Sequence, residues 1–590
     1  MHTTPEPTLR SSSLNPRASE RLESRWAALQ HNSAPFPPLM SHPTVWSGEP
    51  AKTSPDGVTA HINLGMTSYK AQVHLQSEPV SEGIVGEVAA RALFNLFFWK
   101  CHPSFPLLEQ YADLDSHFDH IRSSSPFLFT SILAIAGRYY TAYRRTQPAT
   151  LGLPPIRTSA LETLADLACA HLGFVLFRKQ HQLSDVQATL LLSVWIPRGK
   201  GQSADQWMIT GLCTRLAYRI GMPDLSNHPA ILRLANESTN PDPDDIREAN
   251  SILPQWHTWL MSNHYDISLC LGFGRPRTMP FADWSARQYL TVVRRLGSAA
   301  PVDLAAAAYV TGLVELSAIT ADLISGLRAA HLPAATAWTK VSGLLADLNP
   351  RLDEWRRQWT WGGSYDTISL GRYTTLAMVY GEHARLCLNS LSLNLLTANS
   401  FDDNQRDHEV PIMPYLARAC ESAVSIVQSY SESTAEPIVR YGADYLVLIL
   451  GQAAVFFVRV LATRLQQPLP VDHLVLLHYL KKAIELLESN DLSTTGICGW
   501  VARLCHDLSR YTGFSLDEDC EIPRNPSSIV PEAQLPELEW DFDISVFLGQ
   551  NMPAGEAGSG SDLGGYFDFA HPAFSSAHQG SKAHDNTDVE

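Results

Sequence analysis

Between about residue 80 and residue 513 the apolar positions recur every three or four residues in one segment after another, a period that only an α-helix gathers onto a single face. Val85, Val88, Ala89, Ala92, Leu93, Leu96 and Phe97 open the series and read as a core-facing helix. A second helix is expected from Ser125-Pro126, where a serine cap and a first-turn proline both favour a start, and it carries Leu128, Ile132, Ile135 and Ala136 inward. Further helical periods occupy roughly 160–178, 184–195, 205–221, 245–270, 302–330, 337–359, 370–398, 413–431, 437–464, 471–489 and 495–513. The expected fold class is therefore all-α, an irregular multi-helix domain over residues 80–520. Helix lengths and connections differ too much from one segment to the next for a regular solenoid of fixed repeat.

The flanks have another character. Residues 1–57 are rich in Pro, Ser and Thr and read as a disordered arm. Over residues 58–79 the period drops to two, with Val58, Ala60, Ile62 and Leu64, a break at Gly65, then Tyr69, Ala71, Val73 and Leu75, as in a short hairpin-like linker. Residues 521–590 form an expected disordered acidic tail, in which no Lys or Arg occurs between Arg524 and Lys582 while eight acids alternate with Trp540, Phe542, Phe547, Tyr566, Phe567, Phe569 and Phe574.

Charge and cysteine usage narrow the function classes. A formal charge of −16 over 590 residues disfavours a broad nucleic-acid surface, and no local run of cations replaces it. Nine cysteines, mostly in apolar stretches, fit a reduced intracellular compartment better than a disulfide framework. The start, Met1-His2-Thr3-Thr4-Pro5, lacks the basic residues and apolar run of a secretory signal. The longest uncharged run, Tyr445 to Val458, falls short of the ~20 residues a bilayer demands and is expected to be a buried helix, so no membrane partner is implied.

The strongest enzyme lead is Asp244-Asp245-Ile246-Arg247-Glu248, because a D-D-x-x-E run on a helical scaffold is how carboxylates converge on magnesium and a diphosphate. The companion motif is missing, Asn490-Asp491 lacking the later hydroxyl and glutamate, and Pro241 and Pro243 mark the acids as the first turn of a helix, where the macrodipole favours them. No zincin, hydrolase-elbow, phosphate-loop or C-x-x-C motif occurs. Gly272-Phe273-Gly274 follows a helix where a dinucleotide fingerprint needs a strand. Cys498 and Cys505 read as two thiols on one helix face, and His257, His264 and His383 as ordinary polar or core positions. No catalytic residue, metal or cofactor is expected.

A series of segments runs from Ala92-Leu93-Phe94-Asn95-Leu96-Phe97-Phe98 through His102-Pro103, Phe105-Pro106, Ser125-Pro126-Phe127-Leu128 and Ile132-Leu133-Ala134-Ile135-Ala136 to Arg138-Tyr139. Together with later ones, they resemble the regulatory middle domain of the fungal-specific transcription factors that usually carry an N-terminal six-cysteine zinc cluster. Ser184 to Trp195 and Ala204 to Met222 resemble the family's paired helices, and Trp259, Asp266, Ser268, Gly272, Gly274, Arg275 and Pro276 its W…D…S…GRP signature. Ala384 to Leu391, and Tyr441 to Asp444 running into Ala453 to Phe457, resemble two later helices. Gly272 and Gly274 are expected to permit a turn that a Cβ would obstruct, with Pro276 fixing its exit and Arg275 satisfying helix-end carbonyls or a carboxylate.

The resemblance implies a nuclear transcription regulator, and within the family such proteins often govern metabolic or biosynthetic gene clusters. The family's DNA-reading part needs C-x2-C-x6-C twice, whereas the first cysteine here is Cys101, inside the helical region. Direct DNA binding is accordingly expected to be weak, with contact supplied by a DNA-binding partner protein or through a homodimer. The tail, above all Pro536 to Leu548, reads as an activation segment whose Trp540, Phe542, Phe547, Phe567 and Phe569 meet a coactivator. Two other readings stay open: a helical interaction scaffold with no transcriptional role, and an all-α magnesium enzyme built on Asp244, Asp245 and Glu248.

Overall fold

The three-to-four-residue period is realised as helix along the chain. A computed structural model describes residues 77–109, 113–146, 153–196, 205–236, 242–273, 277–278, 285–328, 334–360, 370–393, 412–432, 438–463 and 469–512, with the two-residue strands Arg198–Gly199 and Gln202–Ser203. The arm 1–57, the linker 58–79 as far as residue 76, and the tail 521–590 lie outside the described residues.

The protein is all-α. In chain order the helices are α1 (Glu87–Leu96), α2 (Leu114–Ser124), α3 (Pro126–Thr146), α4 (Thr158–Val175), α5 (Leu183–Val194), α6 (Gln206–Arg219), α7 (Pro229–Ala235) and α8 (Pro243–Phe273). They continue with α9 (Ala286–Leu296), α10 (Leu304–Arg328), α11 (Ala334–Trp359), α12 (Thr374–Asn389), α13 (Met413–Ser431), α14 (Asp444–Ala462), α15 (His473–Ser489) and α16 (Ile497–Tyr511). Between α5 and α6 the two short strands pair antiparallel, Arg198 opposite Ser203 and Gly199 opposite Gln202.

Local chemistry sets several ends. Ser125 caps α3, its Oγ accepting from the Leu128 amide at 3.2 Å, and Asp205 and Asp472 cap α6 and α15 in the same way. Gly221 and Gly496 take positive φ at the end of α6 and the start of α16, a conformation that costs a Cβ-bearing residue more. Three helices lie outside the periods read from the sequence. α2 buries only His117, Phe118 and Ile121, and α7 is seven residues long. α9 does carry the helical period, in Ala286, Tyr289, Leu290, Val293 and Leu296, between polar and basic neighbours.

Two helices form the middle of the fold. From Leu253 onward α8 is almost entirely buried and packs on α6, α9, α10 and α14, while α14 packs on α8, α12, α13, α15 and α16. By length and composition Leu304–Gly326 and Asp444–Ala462 could cross a bilayer, but 78% and 89% of their apolar windows are buried within the fold. Each fully buried Leu, Ile or Phe there contributes roughly 1.5–3 kcal/mol. One expected core position is not one: Val88 of α1 is 72% exposed, because α1 buries the neighbouring face carrying Ala89, Ala90, Leu93, Phe94 and Leu96.

Candidate functional site

Among the ion pairs of the described residues, the one with both side chains most fully buried joins the first half of the chain to the last. Arg138 in α3 pairs with Asp444 in the first turn of α14, Nη2 to Oδ1 at 2.5 Å and Nη1 to Oδ2 at 3.2 Å, with both side chains buried. Further polar groups join the pair. Arg138 Nε donates to Ser493 Oγ at 3.2 Å, Nη2 to Thr495 Oγ1 at 3.1 Å, and Asp444 Oδ2 accepts from the Ile196 amide at 3.1 Å. The Arg138 carbonyl accepts from the Thr494 amide at 2.8 Å, and Trp195 Nε1 donates to the Gly442 carbonyl at 3.0 Å. Burial works against the Arg138 charge, but the Asp444 carboxylate outweighs it and holds the guanidinium above its usual range.

A second polar contact lies where α8 crosses α14. Gly272 is inside α8, so its role is close approach and not the turn expected of it. A Cβ on Gly272 would stand 2.8 Å from the Tyr445 ring. Tyr445 Oη donates to the Ser268 carbonyl at 2.6 Å, and Gln452 Nε2 donates to the Gly272 carbonyl at 2.9 Å. Gln452 Oε1 then faces His383 Nε2 of α12 at 2.5 Å. Asp266, six residues before Gly272 in α8, grips the chain beyond the signature, accepting from the Thr278 amide at 3.1 Å and Thr278 Oγ1 at 2.6 Å. Gly274, Arg275 and Pro276 themselves lie outside the described residues, as do Trp540, Phe542, Phe547, Phe567 and Phe569.

Gly272→Ala should therefore destabilise by about 1–3 kcal/mol through overpacking against a ring that cannot retreat, despite the ~1 kcal/mol of helix propensity it gains. Urea denaturation measures this, and a neutral substitution would show that the close approach imposes nothing.

The acidic run does not converge on one point. Asp245 is gripped by Arg233, Nη2 to Oδ1 at 2.6 Å and Nε to Oδ2 at 2.9 Å, which holds its carboxyl below the usual range. Asp244 pairs with Arg247 at 2.9 Å, and Glu248 lies 3.5 Å from His228. Burial raises the Asp491 carboxyl, and Asn490 Oδ1 accepts from Arg440 Nε. Cys498 and Cys505 are both buried on α16, where burial pushes their thiols up. Among the described residues no group of three or more His, Cys, Asp or Glu side chains is placed to hold a metal ion.

His257, His264 and His383 are core positions with partners, as expected of them. His257 Nε2 meets the Pro106 carbonyl at 2.6 Å and Nδ1 the Tyr289 hydroxyl at 2.7 Å, while His264 Nδ1 meets Ser317 Oγ at 3.0 Å. The pairing of Arg138 with Asp444 was not legible in advance, although both residues stand in segments that carry the resemblance.

Fold and core thus define an all-helical protein whose distant segments lock through buried polar contacts. No family model matches the chain, and no solved structure does. Among curated proteins it is similar to Protein priB of Lentinula edodes, a fungal protein, with 23% identity over 404 residues. That likeness covers 66% of this chain and 58% of the relative, so the chain spans little more than half the relative's length.

Proposed function

We propose that this protein is a nuclear transcription regulator, an activator of a fungal metabolic or biosynthetic gene cluster, and not an enzyme. It acts through the helical region 80–520 and the acidic-aromatic tail 521–590, with DNA contact supplied by a partner protein and the tail engaging a coactivator. One observation carries the reading. The segments that resemble the fungal regulatory domain are far apart in sequence, yet their polar residues meet: Arg138, Trp195 and Asp444 at one centre, Ser268, Gly272 and Tyr445 beside it. The distant likeness to a fungal protein lends further support.

A reporter fusion tests the reading against the scaffold alternative. Residues 525–590 tethered to a heterologous DNA-binding domain should activate transcription, and a silent fusion would remove the activator role. Within the active fusion, replacing Trp540, Phe542 and Phe547 together by Ala should reduce output far more than neutralising Glu539, Asp541 and Asp543. Each ring buried in a coactivator groove contributes about 1.5–3 kcal/mol, against ~0–1 kcal/mol for each exposed charge pair. Equal losses from the two sets would show that the tail works by charge.

A further inference from the structure

The outer side of α1 carries two exposed apolar side chains in line, Val88 and Trp99, with the half-buried Ala92 and Asn95 between them. Val88, Ala92, Asn95 and Trp99 follow one another at three- and four-residue spacing, and Val88 and Trp99 are 72% and 57% exposed. Trp99 belongs to the π-helical turn Phe97–Cys101, whose Phe97, Phe98 and Cys101 are buried while the indole faces outward. An exposed tryptophan and valine in line on one helix face mark a contact surface more than a solvated one.

The chain itself arrives at the foot of that stripe. The buried Ser77 carbonyl is held by His171 Nε2 of α4 at 2.9 Å. Glu78 accepts from Arg122 Nη2 of α2 at 2.9 Å, and Arg122 Nη1 lies 3.4 Å from Glu87, the residue preceding Val88. Residues 58–75, which end two positions before Ser77, are thus tethered beside α1. In extended form they present one apolar face, with Tyr69, Ala71, Val73 and Leu75 on its nearer arm. A two-stranded hairpin is marginal on its own in water and needs a surface.

Length and charge agree with this surface. From Val88 to Trp99 the stripe runs ~16 Å at the helical rise, and Tyr69 to Leu75 extends ~20 Å as a strand. Residues 58–75 contain Lys70, His61 and His74 and no acid, and the exposed Glu82 stands at the foot of the stripe, while Glu87 is already paired with Arg91 and Arg122. So short a tether also gives an effective concentration of about millimolar, so even a weak contact closes.

We propose that residues 58–75 are the occupant of this face: they lay their apolar side chains on Val88, Ala92 and Trp99, with Trp99 as the anchor, and complete the helical domain at its N-terminal edge. The inference is independent of the transcriptional reading.

Hydrogen exchange on the full-length chain tests it. Amides of 58–75 should exchange at least tenfold more slowly than in a free peptide, and Val88→Asp with Trp99→Asp should abolish that protection while leaving α14 unchanged. Phe177→Asp, at an exposed apolar position elsewhere, should leave 58–75 protected. The reciprocal variant, Val73→Asp with Leu75→Asp, alters nothing in the helical region and should speed chemical oxidation of Trp99. Free-peptide exchange of 58–75 in the unaltered protein would overturn the proposal. So would protection that survives Val88→Asp with Trp99→Asp, or a dimer that those two substitutions convert to a monomer with 58–75 unaffected, which would make a second copy the occupant.

Discussion

Asp444→Ala is expected to destabilise the helical domain by about 3–5 kcal/mol, the cost of leaving a buried guanidinium without its counter-charge. The substitution also strands the Ile196 amide, whose hydrogen bond ends on Asp444 Oδ2. Arg138→Met should cost a similar amount by stranding the carboxylate instead. The double variant, Arg138→Met with Asp444→Leu, should recover a large part of the loss, because two apolar side chains carry no desolvation penalty. It should not recover everything, since Ser493, Thr495 and the Ile196 amide lose partners in either case. Urea midpoints at unchanged slope measure all three. Single losses below about 1 kcal/mol, or a double loss equal to the sum of the singles, would show that the pair is not coupled.

Acid should unfold the domain well before its carboxylates are protonated. Burial lowers six histidines, His117, His171, His257 and His383 to about 4 and His102 and His264 to about 3. Several are fixed in a neutral tautomer by carbonyl acceptors, Ser77 for His171 Nε2 and Pro106 for His257 Nε2. At neutral pH both states carry these rings uncharged and stability does not depend on them. Once the pH falls below the unfolded value of about 6.5, the unfolded chain binds protons the native one refuses, so stability falls with pH until the native rings charge near 4. Each histidine contributes up to ~1.4 kcal/mol per pH unit, and because all six act in the same direction the domain loses stability steeply between about pH 6.5 and pH 5. Far-ultraviolet circular dichroism and urea midpoints between pH 7 and pH 4 follow the loss, and a midpoint constant from pH 7 to pH 5 would contradict it. His383→Gln should reduce the slope by about one proton's worth whatever it does to stability at pH 7.

How much of this was legible depended on whether the signal was local. The period in α13 gives its bounds outright, and Ser125-Pro126 marks the start of α3 because cap and proline act within one turn. Short or polar helices such as α2 and α7 expose too little apolar pattern to register and exist because neighbours hold them. Val88 fits the helical period as well as Leu93 does, yet the direction in which α1 turns is a tertiary choice, and only the fold shows that one side of the pattern is left outward. Gly272 was recognisable as special for the wrong reason, since the ring that excludes its Cβ sits 173 residues further along. The acidic run at 244–248 was readable as a helix start, whereas Arg233 as its counter-charge was not.

The Arg138–Asp444 bond spans 306 positions of sequence, and this sets a schedule for making the protein. At roughly 5–20 residues per second, Arg138 leaves the ribosome about 15–60 s before its counter-ion exists. Over that interval α3 cannot settle with its arginine inside, so its apolar faces stay open and the growing chain depends on chaperones or on loose, reversible packing. A message cut short anywhere before Asp444 would yield a product with no way to satisfy that charge, and such a fragment is a substrate for degradation rather than a smaller working protein.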